Sequence, residues 1–488
     1  MNGKITYRDI APGAAEDASF SATRQTDFST LALNTAPGSV NYLTLEQNRW
    51  VLDGTMWGYN SGDAVHLWSE AITDENCNFA LPPSLTVDFG TRYSSTGITL
   101  EFNAARNEWA SEINIKWYQG ATLKDDKTFH PDRPLYSCEN SVVAFDKIVI
   151  TFKKTSLPQH RLRLDRLLVG IIRDFGVDEI AGATAINEMD LLSAELPASQ
   201  LDWELNSRSP VPYMFQLKQP MEFSAGEQLI GVYYVTASSR ISERRYKITA
   251  QDAVGVLGEQ PYGGGVWLAG KSAKALVTEI VGGAFPVSFG SVADATLYGI
   301  LLPQSKREAI QQVLFAWGKC LRTDGGNQLQ IFAPATSSPK VIGAGKTYTG
   351  VSVQTAPIVT QVIATAHTYT EDENGDIEIG GVKYADAKTQ YVINNPDVTA
   401  NDIANVITVS EATLVSTHNG AAIAQRVYDH YSKRNTHSSK IIYDGERLGE
   451  YLQQPTPWGT SETGHAVSIS VSLSGVIAAD VKSVGVEQ

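Results

Sequence analysis

Cysteine is scarce in these 488 residues: Cys77, Cys138 and Cys320 make an odd number, and no C-x-x-C pair occurs. That argues against a disulfide framework or a thiolate zinc site and leaves the thiols as small, inert hydrophobes. Long apolar runs are also missing, so no segment of about 18 residues is suited to span a bilayer as a helix. Positive charge is outweighed: 39 Lys and Arg face 53 Asp and Glu, a formal charge of −14. The mean field therefore repels phosphate backbones and anionic lipid, which argues against nucleic-acid and membrane partners. The opening MNGKITYRDIAPGAAEDASF lacks the basic-then-apolar order of a secretory signal, so the expectation is a protein made in a cytoplasm that stays there or leaves by lysis.

Reactive signatures are equally sparse. The eight histidines include no H-E-x-x-H, and His430 and His437 read as surface residues or dipole partners near a helix end. No G-x-S-x-G elbow or P-loop is present; GGAFPVSFGS lacks the strand-turn-helix context of a nucleophile, and the glycines of YGGGVW read as a flexible loop. Glu371, Asp372, Glu373 and Asp376 crowd a predicted hairpin tip with no apolar pocket to separate their pKa values, so they read as solvated. The expectations are no catalytic residue, no cofactor and no metal.

What the chain does contain is a folded composition, 42% hydrophobic and 19% charged, over a length too great for one core. It reads as mainly β (α+β) and multidomain, with boundaries expected at 1–40, 41–172, 173–335 and 336–488. Residues 1–40 read as an arm whose packing partner lies elsewhere. From Trp50 onward, short alternating runs appear: Ile98, Leu100, Phe102; Ile113, Ile115, Trp117; Ile148, Ile150, Phe152. Period two puts one face of each strand in a core, and its repetition predicts an antiparallel β-sandwich.

Aromatic residues concentrate in this segment. Trp68 and Trp117 sit in core positions, which leaves Trp57, Tyr59 and Trp109 as surface candidates for stacking on sugar rings. Asp53, Asp63 and Asp74 occupy turn-rich loops, where solvated turn residues are the simplest account.

Further on, Ser305 and Glu308 form a predicted capping box. Behind it Ala309, Ile310, Val313, Leu314, Trp317 and Leu321 make one apolar stripe, predicting a helix over 305–321. Asn374-Gly375 within EDENGDIEIGGV predicts a tight hairpin turn, and Ile423, Val427 and Tyr431 mark a second helix face after Asn419-Gly420.

Two resemblances follow from these segments. NRWVLDG, LWSEAITDENCNFALPPSLTVDFG and DKIVITFKKTSLPQHRLRLDRLLVG resemble the discoidin or galactose-binding-like family over about 120 residues; that resemblance implies a jelly-roll sandwich and brings calcium into consideration at Asp53, Asp63 and Asp74. INEMDLLSAELPASQLDWELN, FSAGEQLIGVYYV and RRYKITAQDAVGVLG, then the capped helix and its following strand, resemble the baseplate hub family of phage tails. The run YDHYSKRNTHSSKIIYDGERLGEYL and the closing LSGVIAADVKSVG resemble that family's last sandwich. The resemblance implies a non-enzymatic homotrimer at the tail tip, its paired barrels mimicking a sixfold tube. Its implied partners are tail tube, distal tail and spike or tip proteins, and a host glycan through the sandwich; it also implies assembly in the bacterial cytoplasm as part of a virion or phage-like particle. A free carbohydrate-binding adhesin is the rival reading, and a peptidoglycan hydrolase ranks third; cell-wall domains appended to hubs lie C-terminal, and this sequence is expected to end where the hub ends.

If Trp57 and Tyr59 hold a host sugar, replacing both by Ala abolishes retention on host cell walls in a pull-down; unchanged retention discards these residues as a glycan site.

Overall fold

The computed structural model describes residues 3–11, 13–26, 29, 41–42, 46–47, 59–60, 66–208, 210–211, 215–323, 325–399, 401–474 and 476–487. It is mainly β, with two compact units: residues 6–174 with 211–215, and residues 1–5, 175–210 and 216–488.

The first unit is built on two long antiparallel strands, Ser84–Phe102 and Leu135–Thr155. Residues 84–88 pair with 147–151, and 97–101 with 135–139; between them the register shifts and the hairpin bends. The two ends of this strand pair carry different neighbours. One carries Ala18–Thr23, Ala110–Gln119 and Thr122–Phe129; the other carries Arg163–Gly176 and Leu67–Trp68. Ile98, Leu100, Phe102, Ile113, Ile115, Trp117, Ile148, Ile150 and Phe152 all enter one buried cluster, as their alternation requires. Within it Trp117 faces Ile148 across the ladder and Phe102 meets Phe152 edge-on at 6.5 Å between centroids. Residues 18–23 of the predicted arm are paired here, Phe20 opposite Val87.

Gly170 shows why one position tolerates no side chain. Its φ is +146°, and a Cβ would lie 1.9 Å from the Asp9 carbonyl oxygen.

In the second unit, strands Ile180–Glu188, Gln200–Asn206, Arg245–Gln251, Gln228–Arg240 and Pro220–Ala225 pair in that order as a half-barrel. The predicted alternation sets the register: Leu201 faces Ala250, Trp203 faces Ile248 and Leu205 faces Tyr246, all buried. Strand Ser461–Ser474 pairs with 183–188 through its second half, with Tyr451–Pro455 through its first, and with Val476–Glu487 along its length. Strands from both ends of this unit are thereby joined.

Between the half-barrel strands and the C-terminal ones lie two insertions. Helices Ala253–Gly258, Ala273–Val281 and Lys306–Trp317 share a core with Leu297, Leu301, Leu329 and Ile331. A four-stranded sheet, ordered 377–379, 382–394, 361–371 and 406–409, is covered by helix Gly420–Tyr431, whose Ile423 and Val427 meet Val362 and Ala366.

Three expectations need correction. The predicted 305–321 helix is Lys306–Trp317: Gly318, at φ 72°, caps it through bonds to Leu314 and Phe315, and Leu321 belongs to the next strand. YGGGVW is no loop beyond Gly264, because Gly265–Ser272 pairs with Thr296–Leu301. The hairpin turns not at Asn374-Gly375 but at Gly380-Gly381, both with positive φ, where Ile379 pairs with Val382; Asp372 instead caps Asn374 in a local turn.

The capping box at Ser305 is complete: its hydroxyl accepts from Glu308 N at 3.2 Å, while the Glu308 carboxylate accepts from Ser305 N at 2.9 Å. Ser305→Ala is expected to cost about 1 kcal/mol in urea unfolding, and a change under a few tenths would show that the cap contributes nothing.

Candidate functional site

The residues proposed from sequence scatter. Trp57, Asp53 and Asp63 lie outside the described residues; of Tyr59 only the backbone is described, paired with Tyr42. Trp109 is half-buried against the sandwich core, and its indole N–H donates to Pro131 O at 3.0 Å, so one face and the polar edge are already engaged. Asp74 is exposed, but one carboxylate oxygen accepts from Asn76 N and Asn78 N at 2.9 and 2.7 Å, closing its own turn. Among the described residues no three His, Cys, Asp or Glu side chains converge as a metal site.

Cys138 and Cys320 are buried, and burial pushes the Cys320 thiol up to about 12; Cys77 is half-buried. His437, expected near the surface, is buried in strand Asn435–Ile442 beside Pro455 O at 3.3 Å, and burial lowers its pKa. The acidic hairpin lines an open depression of about 430 Å³ with Glu371, Asp372 and Glu373 exposed, the solvated setting expected of it.

Two buried polar clusters were not foreseen. In the sandwich, Arg163 donates from Nη1 to Glu46 Oε1 at 2.8 Å and to Glu108 Oε2 at 3.2 Å, and from Nη2 to Glu46 Oε2. The Trp68 ring lies 4.6 Å from the guanidinium carbon, and all four residues are buried. Sequence separations of 117 and 55 residues hide this grouping; the one local clue is a cation between Leu162 and Leu164. This buried arginine ties two distant segments of the chain to its own strand.

In the second unit, His367 Nδ1 lies 2.8 Å from Asp386 Oδ2, which suggests a catalytic pair. Its Nε2, however, faces the Ser410 carbonyl oxygen at 3.0 Å rather than a hydroxyl, so no serine is activated.

Asp252, the acid that ends the 245–251 strand, is the more consequential group. Its Oδ1 caps helix 253–258 by accepting from Gly255 N at 3.1 Å, its Oδ2 accepts from Thr323 Oγ1 at 2.6 Å, and its own N–H donates to Ser199 O at 2.9 Å. Two remote segments, at Ser199 and Thr323, thus meet the helix start at one residue. Burial raises its pKa to about 6, opposed by those bonds.

No family model matches the sequence, nor does any curated protein. Among solved structures, the chain is similar to a tail protein from Neisseria meningitidis MC58, at 10% identity and a TM-score of 0.47, over 64% of this chain and 93% of that one. A 43 kDa tail protein of prophage MuSo2 from Shewanella oneidensis gives 11% and 0.46, over 64% and 96%. Prophage tail protein gp18 from Listeria monocytogenes EGD-e gives 10% and 0.42, over 64% and 91%.

Because the folded Asp252 holds its proton more tightly than the unfolded one, its contribution is full below about pH 4 and falls as pH rises through 6, by roughly 3 kcal/mol. Asp252→Asn is expected to remove this share of the decline in urea midpoint between pH 4.5 and 7; equal pH slopes in both chains would contradict it.

Proposed function

We propose that this chain is a structural subunit of a phage tail or phage-derived injection particle, a baseplate hub that joins the tail tube to its tip. The observation that carries the reading is the arrangement of the hub-like segments. Strands 200–206, 228–240 and 245–251 lie side by side with matched registers, the last ends on the Asp252 cap, and strand 183–188 pairs directly with the closing 461–474 strand. Segments that resemble the hub family one at a time thus belong to one compact unit.

Such a unit tiles around an axis. In this reading three copies form a closed ring, in which the same surface patches satisfy one another without open growth. The acidic chain repels DNA passing through the ring instead of retaining it. The N-terminal sandwich, read as galactose-binding-like, contacts neighbouring tail proteins or a host glycan. The protein then works in the particle, not as an enzyme.

Purified chain is expected to form rings of three copies by negative-stain microscopy and light scattering. A stable monomer at all concentrations with micromolar glycan affinity would replace the hub with a free adhesin, and a clearing zone in a cell-wall zymogram would replace it with a hydrolase.

A further inference from the structure

The four-stranded sheet of the second unit has two open edges among the described residues. Strand Val406–Val409 pairs only with Gln361–Glu371, parallel to it. On the opposite side, strand Val382–Asn394 is covered by Ile377–Ile379 only at 382–384, so residues 385–394 present a free edge. Sheet edges normally carry charge, proline or a bulge that blocks pairing. Val-Ile-Thr-Val at 406–409 has none of these, and the opposite edge has only Asp386, held by His367, and Lys388. Exposed apolar side chains sit on both, Val406 at 44% and Val392 at 45%, with Ile403 at 88% beside the first. A groove of about 320 Å³ adjoins Thr408 and Val409, walled by Gln311, Gln312 and Phe315.

We propose that the 406–409 edge of one copy pairs with the 385–394 edge of a second copy, making the sheet continuous across a subunit boundary. Strand 406–409 runs parallel to 361–371, and 382–394 runs antiparallel to it. A copy rotated about an axis along the strands therefore brings its free edge in antiparallel, with well-aligned hydrogen bonds. Residues 391 and 393 share a sheet face with 407 and 409, since Ala364 stands between Tyr391 and Val409, and Val362 between Ile393 and Ile407. Keeping faces matched gives a register with Ile407 against Ile393, Val409 against Tyr391 and Thr408 against Val392 of the second copy. Among the paired residues themselves, 406–409 and 391–394, no charged side chain lies opposite another. The contact is head-to-tail, so it grows until rotation closes it. It rests on the ring reading above and assigns that ring one of its seams.

The test is the double variant Val392→Cys, Thr408→Cys, both on the exposed side. Within one chain these residues flank Ile363 on opposite sides, two strand spacings or roughly 10 Å apart, beyond the roughly 7 Å limit for a disulfide. Across the proposed seam they lie directly opposite. Mild oxidation is expected to give covalent dimers and higher multiples on a non-reducing gel, absent from either single variant. In unmodified chain, amide exchange at 387–394 and 406–409 is expected to slow at least tenfold on assembly. Rings without cross-links and with unchanged exchange at these edges would overturn the seam and leave the hub reading standing. A chain that never assembles would overturn both.

Discussion

The backbone of strand 461–474 imposes the constraint on which the larger unit depends. A buried strand must pair its amides and carbonyls, and this one does so with three others: 451–455, 183–188 and 476–487. One partner lies about 290 residues earlier in the chain. Because that pairing bridges the half-barrel and the C-terminal strands, the helical segment and the four-stranded sheet between them are held as insertions on a closed frame.

Buried polar groups then lock the insertions to the frame. Asp252 gathers Ser199, Gly255 and Thr323, a cap at once local and long-range. Arg163 does the equivalent in the sandwich, drawing Glu46 and Glu108 onto one strand. Each charge is worth keeping only while its partners are present, since an uncompensated buried charge costs several kcal/mol. Such groups favour one arrangement over others of similar packing.

The surface follows a different logic. His367 and Asp386 are spent inward on a carbonyl and a ring, and the hairpin carboxylates are solvated. The unspent capacity is in the backbone at two sheet edges, where hydrogen-bonding groups have no partner within the sheet. Assembly by edge pairing needs no unusual residue, which is consistent with a chain whose sequence offers no reactive signature.

Much of the fold was legible because its causes are local. Period-two alternation at Ile98–Phe102, Ile113–Trp117, Ile148–Phe152 and Leu201–Leu205 placed each strand and its inward face, and Ser305 with Glu308 marked a helix start. The helix end and the hairpin turn were misplaced because Gly318 and Gly380-Gly381 compete with nearby residues of similar propensity, and only the surrounding contacts choose among them. The grouping of Arg163 with Glu46 and Glu108, the burial of His437 and the pairing of 183–188 with 468–473 had no local signal. Sequence pattern records what each segment buries; which remote segment it is buried against is decided by the competition among all the strands for partners, and that is settled only when the whole chain closes.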